Sequence, residues 1–208
     1  MKTMTTTEED KKPDRRVQRS REALRCALIA LMKKKSFGAI SITEIVETAN
    51  YNRGTFYSHY DGKEALLDDI IAELIRELLQ SFRAPYEGTD VFLISELSAN
   101  SVMIFDHIYE NASLYTVLLK SEVLPKVKEA MLLALKRILV EELQPVDDGR
   151  GLNQELLVVY AIHALLGLVF YWIENGFHYS PAYMQEQLVK IINTDPSSAR
   201  SNVKRPQH

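Results

Sequence analysis

The sequence holds a single cysteine, Cys26, among its 208 residues. One thiol cannot build a disulfide framework or a cysteine-based metal site, and its scarcity fits a reducing compartment such as the cytoplasm. No apolar stretch of signal-peptide type opens the chain. Nor is there a run of alternating apolar and polar residues bounded by hairpin turns, so no β-sheet is expected. A Gly-rich phosphate loop, a His/Glu metal motif and a nucleophile elbow are all missing. Enzyme chemistry, a cofactor and a metal are therefore not expected. No internal repeat stands out.

What the chain does contain is unevenly charged. Residues 1–63 carry 13 Lys/Arg against 8 Asp/Glu, a net of +5, while residues 64–208 carry 12 against 20, a net of −8. A basic first third on an acidic body suggests that the N-terminal part alone meets a polyanion. The apolar content of 46% supports a true core. Residues 1–14 and 195–208 are polar and nearly free of aromatics, the composition of disordered tails.

Everything between the tails reads as helix. A first amphipathic helix spans 14–35, with Val17, Leu24, Leu28 and Leu31 on one stripe and Lys33, Lys34 and Lys35 at its negative end. Ser41 and Glu44 have the spacing of a capping box that starts a second helix. Asn50 tolerates the left-handed turn that ends it, and Asn52 can cap a third, very short helix from Arg53 to about His59. A fourth runs from Gly62–Lys63 to Arg83. Further helices are expected near 90–110, 112–119, 125–144, 153–175 and 181–193, with a loop at 145–151 and Ser180–Pro181 starting the last. The fold class is all-α, with a three-helix DNA-binding domain over 15–62 and a helical body over 63–194.

Two short helices joined by a tight turn make a helix-turn-helix, whose second helix can lie in the major groove. Arg53 stands at its first position, where a guanidinium can bond two acceptors of guanine. Gly54 lets the backbone come close. Thr55, Tyr57 and Ser58 offer hydroxyls to phosphate, and His59 and Lys63 add donors. Phe56 and Tyr60 face the small core instead.

Residues 41–67, "SITEIVETANYNRGTFYSHYDGKEALL", resemble the DNA-binding segment of the TetR/AcrR family of bacterial transcriptional regulators. Ile45, Ala49, Gly54, Thr55, Tyr57, His59, Lys63 and Leu66 match the family pattern at fixed spacing. Ser41, Val46, Asn50, Tyr51, Asn52 and Tyr60 depart from it mildly. The resemblance implies that Thr55, Tyr57, His59 and Lys63 bind phosphates, that Arg53, Gly54 and Ser58 face bases, and that Thr43 sits on the backbone. It also implies a homodimer on a palindromic operator in double-stranded DNA, with a small-molecule effector of unstated identity.

Residues 156–173, "LLVVYAIHALLGLVFYWI", are apolar except for His163 and Gly167. Eighteen residues only just reach a membrane span, and Glu155 and Glu174 rather than Lys/Arg flank them, so no membrane is expected. A helix buried on every side against the body and a second copy is the preferred reading. Ala161, Ala164, Leu165 and Leu168, with Met184, Leu188 and Ile191 of the next helix, are the expected dimer contacts. Met103, His107, Tyr115, Met131, Tyr160 and His163 are candidate effector-lining residues, although Met and Tyr at helical spacing also fill cores. A further weak resemblance, over 171–184, is to regulators of dihydroxyacetone kinase operons. It leaves open an activator, or a partner protein as effector. A scaffold that has lost DNA binding is the remaining alternative.

Overall fold

The computed structural model describes residues 15–88, 97–142 and 151–194. The expected disordered tails, and the 145–151 loop apart from Gly151, lie outside those residues. The described residues form helices and turns, with no strand among them. They are α1 (Arg15–Met32), α2 (Ile42–Thr48), α3 (Arg53–Tyr57), α4 (Lys63–Arg83), α5 (Ile104–Glu110), α6 (Ala112–Leu119), α7 (Leu124–Glu141), α8 (Gln154–Glu174) and α9 (Pro181–Ile192).

Most boundaries follow local chemistry. The capping box of α2 forms as its spacing implies: Glu44 N–H donates to Ser41 Oγ at 3.3 Å and Ser41 N–H donates to Glu44 Oε2 at 3.0 Å. At the start of α9, Ser180 Oγ accepts from Tyr183 N–H with Pro181 in the first turn. The expected helix near 90–110 differs in its described part. There, a 3₁₀ turn at Ala99–Ser101 precedes α5. Ser101 Oγ donates to the Ser98 carbonyl at 2.8 Å, a local bond that competes with helix continuation.

The residues form two compact units. The first contains everything up to Ile75 together with Ser113–Met131; the second contains Arg76–Ala112 and the chain from Leu132 onward. The first unit thus keeps the early turns of α4 and the α6–α7 segment with the three N-terminal helices. Leu24, Leu28, Ile45, Phe56, Leu66 and Tyr115 are buried in its core. Two contacts hold the α6–α7 segment there. Gly38 N–H donates to Glu122 Oε1 at 2.5 Å, and Lys126 pairs with Asp68.

In the second unit, Trp172 is the anchor. Its ring lies edge-on to Phe105 and to Phe177, at 5.6 and 5.0 Å between centroids. Its Nε1–H donates to the Tyr179 carbonyl at 2.9 Å. The C-terminus of α8 closes in a Schellman turn, with Gly176 at φ 69 and bonds Gly176 N–H to Ile173 O and Phe177 N–H to Trp172 O. One face of α8, with Val158, Ile162, Leu166, Val169 and Ile173, is buried. The rest of this apolar helix is not covered within the protomer: Leu156 is 67% exposed and Tyr160 73%.

Candidate nucleic-acid interface

The interface is built on the turn between α2 and α3. Asn50 has φ 57, and the bonds Asn50 N–H to Glu47 O and Tyr51 N–H to Val46 O close α2 in a second Schellman turn. Asn is one of the few side chains that enter this left-handed region at small cost. Asn52 then caps α3, its Oδ1 accepting from Thr55 N–H at 2.8 Å and from Thr55 Oγ1 at 3.3 Å. A Cβ on Gly54 would stand 3.2 Å from that same Oδ1, so a glycine here protects the cap as well as leaving the surface open.

The division of the aromatic residues is clear. Phe56 is fully buried and Tyr60 nearly so, their rings 5.9 Å apart, whereas Tyr57 is 52% exposed. Arg53 and Thr43 are exposed and make no hydrogen bond or ion pair among the described residues. Ser58 is exposed too, with its hydroxyl donated back to the Thr55 carbonyl at 2.7 Å. Six of the expected DNA-facing positions, Thr43, Arg53, Gly54, Tyr57, Ser58 and the half-buried His59, therefore lie at the surface of the unit.

Lys63 does something different. Its Nζ donates to three carbonyls, Phe37 at 2.9 Å, Gly38 at 3.0 Å and Ile40 at 2.8 Å, and lies 4.8 Å from the centre of the Phe37 ring. An ammonium has three donors, and all three are engaged here. The phosphate role expected for Lys63 is replaced by a structural one: it satisfies the carbonyls of the turn between α1 and α2.

Behind the surface lies a charged layer that sequence reading missed. Asp69 of α4 accepts from Arg21 at 2.6 Å, from Arg25 Nε at 2.8 Å and from Tyr60 Oη at 2.6 Å. Burial pushes the Asp69 carboxyl upward, but the bonds from Arg25 and Tyr60 outweigh it and hold the group below its ordinary value. Arg21 and Arg25 are four residues apart and so share a face of α1, a signal present in the sequence. Nothing in the sequence shows that an acid 44 residues away meets them. Glu44 is held at about 2, first by its bond from Lys35 and then by those from Ser41.

The effector candidates scatter. Met103 and Tyr160 line an apolar cavity of about 440 Å³ in the second unit, together with Phe82, Leu135, Leu165 and Ile191. Tyr115 and Met131 are fully buried core residues of the first unit. His107 is buried beside Asn111, and its burial lowers its basicity. His163 is exposed on α8, its Nδ1 2.8 Å from the Val159 carbonyl. Among the expected dimer residues, Met184 and Leu188 are buried within their own protomer. Ala161, Ala164 and Ile191 are exposed, and Leu165 and Leu168 are half-buried along the cavity.

Residues 27–70, which include this turn and both its helices, match the family described as bacterial regulatory proteins, tetR family. Residues 95–194 match a transcriptional regulator C-terminal region of the same family. The chain belongs to the TetR family. It is a DNA-binding transcriptional regulator, in a family of regulators rather than enzymes. A curated relative is the HTH-type transcriptional regulator YxbF of Bacillus subtilis (strain 168), 25% identical over 187 residues. That match covers 89% of this chain and 48% of YxbF, so the chain spans about half the length of the curated relative. Among solved structures, a TetR regulator from Streptococcus agalactiae 2603V has the same fold, with a TM-score of 0.58 at 22% identity over 86% of this chain and 96% of that one. The dihydroxyacetone kinase operon activator DhaS gives a TM-score of 0.55 at 16% identity, over 83% of this chain and 93% of its own.

Proposed function

We propose that this TetR-family regulator is a cytoplasmic homodimeric repressor that binds a palindromic operator and leaves it when a small molecule enters the helical body. The observation that carries the reading is the exposed edge of α3. Arg53, Tyr57 and the neighbouring Thr43 have polar atoms with no structural task, on a rigidly capped helix of the right kind to enter a major groove. In this reading residues 15–62 form the DNA-binding domain and 63–194 the effector and dimerisation domain. Arg53, Gly54 and Ser58 face bases, and Thr43, Thr55, Tyr57 and His59 position the backbone.

Two further features support the dimer and the effector. One recognition helix makes few contacts, so a pair one DNA turn apart reads a site that neither reads alone. The cavity beside Met103 and Tyr160 is of a size and apolarity suited to a small organic ligand. A second reading, in which the protein activates or answers to a partner protein, is favoured by its likeness to an operon activator.

The test uses a duplex from upstream of the protein's own gene. Affinity measured at increasing salt should fall steeply, as phosphate neutralisation requires. Arg53→Ala should weaken specific binding by about 1–3 kcal/mol and relax sequence preference. Salt-insensitive binding, or equal loss on operator and scrambled duplex, would remove the base-reading role. Transcript levels after deletion of the gene separate the two readings: they rise for a repressor and fall for an activator.

A further inference from the structure

His59 is not simply a surface imidazole. Its Nε2 lies 2.7 Å from Ser20 Oγ, and Ser20 is 3% exposed on the inner side of α1. The same hydroxyl stands 2.9 Å from the Val17 carbonyl and 3.1 Å from the Arg16 carbonyl. A serine has one proton to donate. Spent on the carbonyls of its own helix, that proton leaves Oγ as the acceptor, so Nε2 must carry a hydrogen. In the neutral ring the other nitrogen, Nδ1, is then a bare lone pair. No group among the described residues donates to it or accepts from it.

A bare lone pair cannot donate to a phosphate. From this geometry we infer that Ser20 is a positioning residue that locks the His59 tautomer, and that His59 meets the DNA backbone only after taking up a proton at Nδ1. The inference rests on the assignment of His59 to phosphate and adds the protonation state in which that contact is made. The balance is simple: one proton from water joins Nδ1, the ring becomes an imidazolium, and Nδ1–H donates to a phosphate oxygen. An adjacent anion favours the charged ring, so binding and protonation reinforce each other.

The charged groups around the ring leave room for this. On α1, Arg16 and Arg19 flank Ser20, and Arg21 is held by Asp69 and Tyr60. From the ring's own segment come Tyr57, Tyr60 and the exposed Asp61. On α4, Lys63 is tied to three carbonyls and Asp69 to two arginines. Apart from Asp61, no acid of these elements is left to take the place of a phosphate.

Phosphate contacts are blind to sequence, so the probe is a defined 30-base-pair duplex of arbitrary sequence, titrated by fluorescence anisotropy from pH 5.5 to 8.5 at constant low salt. Affinity should fall as pH rises through the bound-state titration of His59, approaching about tenfold per pH unit for each bound protomer. Ser20→Ala frees the ring to carry its neutral hydrogen on Nδ1, so its profile should flatten, while Ser20→Thr, which keeps a hydroxyl, should restore the slope. His59→Gln, a donor at every pH, should be flat. Thermal melts confirm that each variant is folded. A flat wild-type profile with weakened His59→Ala overturns the proton uptake but keeps the phosphate contact. An unchanged slope in Ser20→Ala overturns the role of Ser20. If His59→Ala binds the duplex as wild type does, the phosphate assignment itself is wrong.

Discussion

Asp69 draws together donors from three places in the chain: Arg21, Arg25 and Tyr60. Its depressed carboxyl has a consequence for acid stability. The ionised form is stabilised in the folded state relative to the unfolded chain, so that contribution is complete above the unfolded value near 4 and disappears as pH falls through the lower folded one. Melting temperature against pH should therefore drop in acid more steeply for the wild type than for Asp69→Asn, which loses about 1–3 kcal/mol at neutral pH by giving up charged acceptors. Parallel acid profiles would show that the cluster is not a source of pH dependence. Lys63 shows the limit of reading single residues. Its position in the family pattern suggests a phosphate ligand, but three backbone carbonyls already occupy it.

At the scale of the element, the helix-turn-helix was legible because its boundaries are set by neighbours in sequence. Ser41 and Glu44, Asn50, and Asn52 each act on groups within four residues. The helix α3 has only five residues and cannot support itself, since nucleation is costly and few bonds repay it. Its order depends on its cap and on buried Phe56. Asn52→Ala should cost about 1 kcal/mol, read as a lowered melting temperature, together with weaker DNA binding from a frayed first turn. Unaltered stability and unaltered binding would mean that tertiary packing alone holds α3. The helix expected near 90–110 was less legible, because Ser98, Asn100 and Ser101 favour a local turn over an apolar period that looks continuous.

At the scale of the molecule, α8 matters most. Residues four and three apart divide it into faces. Val158, Ile162, Leu166, Val169 and Ile173 are buried, while Leu156, Val159, Tyr160, His163, Gly167 and Tyr171 form an exposed and largely apolar stripe. Ala161, Ala164, Leu165 and Leu168 lie between them along the cavity. If a second copy covers the exposed stripe, as proposed for the homodimer, Gly167 lies near the middle of the seam. A Cβ there meets nothing within 4 Å in the protomer, so Gly167→Arg should fold well and yet sediment as a monomer. A variant that remains dimeric would place the seam elsewhere.

Local pattern by itself determined the all-α class, most helix boundaries, the helix-turn-helix and the split between buried Phe56 and exposed Tyr57. Each of these depends on residues within a turn or two of one another, where spacing translates directly into geometry. Tertiary structure alone decided that Lys63 is a staple, that Asp69 closes on two arginines, that Ser20 holds His59, and that Tyr115 and Met131 are core. Those outcomes depend on which side chains from distant segments arrive at the same place, and no local period encodes that. The opposite faces of α8 look alike in sequence because both are apolar. What separates them is where the rest of the protomer packs.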